Sequence, residues 1–67
     1  MYYDYVFKGL SQEELRNVAL KYKDKHVRKH AVMRLNDPET LKQIVLNKYE
    51  LRSIREEAAR RLAELNK

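Results

Sequence analysis

The chain has 67 residues, 43% hydrophobic and 37% charged, with a formal net charge of +5, one Gly, one Pro and no Cys. That length makes one small domain with a marginal core, because folding removes only about 60% of the surface that an unfolded chain of this size exposes. The missing cysteines exclude a disulfide framework and a thiolate metal site, and the scarcity of Gly and Pro disfavours a sheet- or loop-rich fold, leaving an all-α chain as the expectation.

The opening MYYDYVFKGL has no basic leader, and no run in the chain approaches the roughly 20 apolar residues of a membrane span. A soluble, unprocessed, cytoplasmic chain is therefore expected. Tyr2 to Lys8 reads as a short first helix stopped at Gly9, the one residue that takes a left-handed cap without steric cost. Ser11 with Glu14 three residues on forms a capping box, and Leu10 and Leu15 stand where a hydrophobic staple requires them. From there Leu15, Val18, Ala19 and Tyr22 recur at helical spacing as one apolar face, which fails at KYKDK.

Asp24 is the expected N-cap of a third helix whose apolar side carries Val27, Ala31 and Leu35. NDPET ends that helix and starts the next, with Asp37 as N-cap and Pro38 at the first helical position. Leu41, Ile44, Val45 and Tyr49 make the fourth face, so that helix is expected to run to about Tyr49. The fifth is marked by Ile54, Ala58, Leu62 and Leu65, with either a Ser53–Glu56 capping box or Glu50 at its start.

Two helix pairs repeat each other. Leu15, Val18, Ala19, Leu20 and Asp24 match Leu41, Ile44, Val45, Leu46 and Glu50 at an offset of 26, and Val27, Arg28, Ala31, Arg34 and Leu35 match Ile54, Arg55, Ala58, Arg61 and Leu62 at an offset of 27. Self-similarity at that period is the mark of a solenoid, in which no hairpin buries its own apolar face and each leans on the next. Ala31 and Ala58 are then packing residues that let neighbouring helices approach to the usual 8–10 Å. Arg28 and Arg55 sit at the edge of the same face, where their stems can cover it while their heads pair with Asp24, Glu50 or helix-end carbonyls.

VRKHAVMRLND and IREEAARRLAE resemble the second helix of HEAT-like repeats of the phycobilisome-lyase type, with the pattern apolar-Arg-x-x-Ala-x-x-x-Leu. The resemblance covers about Leu10 to Leu65. It implies a short α-solenoid of two hairpins, residues 10–36 and 37–67, preceded by an aromatic capping helix in residues 1–9. It also implies a scaffold or adaptor role, with the second helices lining a shared concave surface. Two repeats are fewer than the three or so that such arrays usually need, which raises the importance of the cap or of a partner.

The charge is concentrated, since Lys21 to Asn36 alone sums to +5. A helical wheel puts Lys25, His26, Lys29, His30 and Met33 on the outer side of the third helix, a basic stripe with one soft apolar spot. The matching side of the fifth helix carries Glu56, Arg60 and Glu64 at salt-bridge spacing, and so neutralises itself. These six residues, Lys25, His26, Lys29, His30, Met33 and Arg60, are the candidate surface for a protein partner, an acidic one by complementarity. Lys21, Lys23, Lys25, Arg28, Lys29 and Arg34 are the alternative, a sequence-independent nucleic-acid surface. His26 and His30 have the four-residue spacing of a metal pair, but the Arg-Lys pair between them repels a cation, so no metal and no cofactor are expected.

Tyr2, Tyr3, Tyr5 and Phe7 are expected to cap the first hairpin or to join two copies of the chain; exposed, they would serve as stacking platforms. No catalytic constellation is present in the sequence, where Ser11 and Ser53 read as caps and the carboxylates fall at helix starts or in ion-pair ladders. A non-enzymatic binding protein is the expectation. The richness in Lys, Arg and Glu also fits a thermophilic source.

Overall fold

Helix starts and stops are where the sequence speaks most clearly, and the computed structural model, which describes residues 2–67, follows most of them. Met1, at the head of the expected cap, lies outside the described residues. The helices are α1 (Tyr2–Phe7), α2 (Gln12–Lys21), α3 (Lys25–Val32), α4 (Pro38–Leu46) and α5 (Arg52–Leu65). No strand occurs among the described residues.

Gly9, at φ +81°, turns the chain out of α1. Ser11 then caps α2: its hydroxyl accepts the Glu14 N–H at 3.1 Å, and the Glu14 carboxylate accepts the Ser11 N–H at 2.9 Å. Asp24 accepts the His26 N–H at 2.8 Å at the start of α3. Asp37 accepts the Glu39 N–H at 3.1 Å at the start of α4, with Pro38 next in line. These bonds satisfy donors that a helix N-terminus otherwise leaves open, each worth about 1 kcal/mol in a typical case.

Three local expectations are corrected. α4 stops at Leu46, short of Tyr49, because Asn47 turns extended and its side chain accepts the Tyr49 N–H at 3.0 Å, offering the backbone a local alternative to the helix. Tyr49 is consequently 87% exposed. Tyr22 likewise leaves the α2 face: as the extended C-cap it swings out and is 52% exposed. The Ser53–Glu56 box does not form. Leu51 is the N-cap of α5 with no side-chain bond, while Glu56 pairs with Arg52 at 3.4 Å.

α2 packs on α3 and α4 on α5 as two hairpins; α3 then packs on α5, and α1 lies against α3. The radius of gyration is 10.9 Å, the value of about 11 Å that a compact domain of this length takes, so the hairpins lie side by side. Ala31 and Ala58 are fully buried. Around them Leu35, Leu41, Ile44 and Ile54 form the core, and Phe7 and Leu15 close it at the α1 end. Two further residues join it that no periodicity singled out. Val32, at the end of α3, is fully buried, and so nearly is Thr40, whose hydroxyl donates to Asp37 at 2.6 Å.

Candidate functional site

Arginines tie the hairpins together. Arg28 grips Glu50 with two parallel bonds of 3.1 Å, Nε to Oε2 and Nη2 to Oε1, while its Nη1 donates to the carbonyls of Tyr22 and Lys23 at 2.8 and 2.9 Å. One planar fork thus caps the end of α2 and reaches across to the α4–α5 joint, a geometry that lysine cannot supply. Arg34 donates to the His30 carbonyl at 2.8 Å, pairs with Asp4 and lies 5.0 Å from the centre of the Phe7 ring. Arg61 donates to the Leu35 carbonyl at 2.8 Å and to the Asn36 side chain. Gln12 adds a clamp on that loop, donating to the Arg34 carbonyl at 3.1 Å and accepting the Asn36 N–H at 2.7 Å.

The two histidines part company. The His30 ring stacks on Tyr3 with centroids 3.8 Å apart and planes 8° from parallel. Burial holds its pKa below the ordinary 6.5, Arg34 and Lys29 add to that, and Asp4 and Glu57 oppose it. His30 therefore serves the α1–α3 contact. His26 instead borders a shallow depression between the N-terminal ends of α3 and α5, with Lys25, Lys29, Leu51, Ser53 and Ile54. Among the described residues the side chains of Lys25, His26 and Lys29 form no ion pair, the Asp24 carboxylate being taken by the His26 backbone N–H, and no group of three or more His, Cys, Asp or Glu is placed to hold a metal ion.

The rest of the expected surface is dispersed. Met33 is the C-cap of α3 and 40% exposed. Arg60 bonds Glu57 at 2.7 Å, and Glu64 lies 3.8 Å from Arg61, so the anticipated Glu56–Arg60–Glu64 ladder is re-paired into neighbouring i,i+3 and i,i+4 contacts. Of the six candidate nucleic-acid contacts, Arg28 and Arg34 spend their guanidinium groups inside the fold. Lys21 and Lys23 border a second depression, with Tyr22 and Tyr49, at the joints of the two hairpins. Sequence reasoning missed Leu51 as part of the α3–α5 depression; its position opposite Asp24 at an offset of 27 was the available signal.

The aromatics of α1 divide by face. Phe7 is buried and Tyr3 packs on the core edge, whereas Tyr2 and Tyr5 are 74% and 80% exposed. Asp37 has its pKa lowered first by the Thr40 hydroxyl and further by the backbone N–H groups of Glu39 and Thr40 and by Arg16 at 3.9 Å, with burial opposing them. Among the described residues no helix is long and apolar enough to cross a membrane. Comparison of the chain with protein-family models, with curated proteins and with solved structures finds no match.

Proposed function

We propose that the chain is a non-catalytic protein-interaction module: a short HEAT-like α-solenoid of two hairpins, capped by α1, that takes an acidic partner into the depression between α3 and α5. The observation that carries this reading is the imbalance of charge there. Lys25 and Lys29, which form no ion pair, stand with His26 around an apolar floor of Ile54 and the half-open Leu51, where the Asp24 carboxylate is held by the His26 N–H as the cap of α3, while Arg28, Arg34, Arg60 and Arg61 are all paired. Unpaired cations around a small apolar patch attract an acidic chain by long-range steering and hold it by desolvation of the patch. Arg60 and Met33 stand as outer contacts. Tyr2 and Tyr5 offer a surface on α1 through which two copies could associate.

The test is a pull-down from extracts of the host with the full chain as bait, beside the Lys29→Glu variant. A saturable protein complex weakened several-fold by the charge reversal supports the reading; a bait that retains no protein refutes it. A gel-retardation series belongs in the same experiment. With Arg28 and Arg34 engaged, the four lysines Lys21, Lys23, Lys25 and Lys29 remain for phosphate, which predicts a log-log salt slope of about −3 to −4 for duplex DNA if nucleic acid is the true partner. Light scattering, repeated on a Tyr2→Ser, Tyr5→Ser variant, tests association through α1.

A further inference from the structure

The arginine clasps have a direction. The late arginine of each repeat reaches back: Arg61 to Leu35 and Asn36 in the joint between α3 and α4, and Arg34, just past α3, to Phe7 and Asp4 of α1. The early arginine reaches forward: Arg28 spans from the end of α2 to Glu50 at the next joint. Arg55 occupies the position of Arg28 in the second repeat, yet its guanidinium has no hydrogen-bond or ion-pair partner; its Nε is covered by the chain itself, and its Nη groups stay open to an acceptor from outside. A desolvated guanidinium N–H without an acceptor is costly, and folded proteins rarely leave one.

The residues beside it tell the same story. Val32, at the end of α3, and Leu35, in the joint after it, are wholly buried in the first repeat, with α5 packed on α3. Their counterparts at an offset of 27, Ala59 and Leu62, are exposed and half-buried on α5. The α4–α5 flank therefore reproduces, one repeat later, a seam whose other half is supplied within the chain only once.

From this we infer that the α4–α5 flank around Arg55 docks a helical hairpin of another protein, one that presents an Asp or Glu immediately before its second helix. The chain's own α4–α5 hairpin, offering Glu50 to Arg28, is the template for that occupant. A second copy of this chain fits poorly in either direction. Stacked head to tail, it would bring Asp24 to Arg55, but α1 already lies on the approaching face of α3, with Tyr3 on His30 and Phe7 under Arg34. Paired about a two-fold axis through Arg55, it would set the two guanidinium groups against each other, a like-charge contact in a desolvating interface. Arg55 adjoins Ile54 and Leu51, which line the depression of Lys25 and Lys29, so Lys29→Glu is titrated beside Arg55→Gln: a loss with Arg55→Gln alone assigns binding to this flank, and an equal loss with each assigns it to the depression and overturns the inference.

The test titrates the full chain with a synthetic peptide of the sequence 37–67, which carries Glu50 ahead of a second helix and is cross-linked between its two helices so that it holds the hairpin in isolation, its helicity checked by far-UV circular dichroism before titration. Saturable binding is expected, weakened about tenfold by Glu50→Gln in the peptide and about tenfold by Arg55→Gln in the chain, the loss typical of one charge-assisted bond. Three further outcomes overturn the inference: no binding up to about 1 mM peptide; binding that survives both substitutions; or binding abolished by Arg28→Gln in the chain and not by Arg55→Gln, which would mean exchange at the internal seam. Thermal melts separate docking from scaffolding. Arg55→Gln should melt at or above the parent temperature because it breaks no bond, and a fall matching that of Arg28→Gln would assign Arg55 to the fold instead. Self-association of the chain alone that disappears with Arg55→Gln would give the flank to a second copy and also overturn it.

Discussion

Replacing Glu50 by Gln keeps the size of the side chain and removes the charge that Arg28 grips. Both bonds of the fork are 3.1 Å long, and Glu50 Oε1 also accepts the Leu51 N–H at 2.8 Å. Gln has one acceptor oxygen in place of two, and its amide nitrogen then faces a guanidinium donor. The side chains of Arg28 and Glu50 are 17% and 9% exposed, too buried for the negligible value of a surface pair and too open for the full cost of a stranded interior charge. The loss of one charge-assisted bond, about 2 kcal/mol, is the appropriate magnitude. A chain of this length has a total stability of roughly 3–10 kcal/mol. Glu50→Gln should therefore lower the melting temperature by about 8–16 °C, followed by far-UV circular dichroism. Arg28→Gln should cost more, since it also releases the carbonyls of Tyr22 and Lys23, and the double variant should fall short of the sum because both changes break the same bonds. A Glu50→Gln loss under about 0.5 kcal/mol would show that the clasp is a solvated pair and that something else holds the hairpins in register.

Ala58→Leu forces three extra carbons into a fully buried site in α5 and should destabilise by about 1–3 kcal/mol in urea titration; an unchanged midpoint would place the helix seam elsewhere. A pH series separates two groups by sign. The lowered pKa of His30 means that its neutral form stabilises the fold, fully above the ordinary value of 6.5 and progressively less as the pH falls through it, whereas the depressed Asp37 contributes above its ordinary 3.8 and is lost only as the pH falls below that. Melting temperature should accordingly drop between about pH 7 and pH 5.5 in the parent chain and not in His30→Gln; an equal drop in both would remove His30 from the cause.

The sequence by itself determined the local elements of this protein. Helix caps act within three or four residues, so Gly9, Ser11 with Glu14, Asp24 and Asp37 could each be read without knowing what lay across the fold. The internal repeat likewise identified Ala31 and Ala58 as interior, because a small residue recurring in mid-face has few other uses. Tertiary structure decided what those elements hold. Periodicity assigned Tyr22 and Tyr49 to apolar faces, but extended caps turned both outward, and it passed over Val32 and Thr40, which are buried by the packing of whole helices. The histidines were alike in sequence and differ in fate, one stacked on Tyr3 and one beside the α3–α5 depression. Above all, two arginines at equivalent repeat positions ended differently. Whether a guanidinium is paired depends on a carboxylate some twenty residues away in the chain: Arg28 meets one in Glu50, and Arg55 has none to meet.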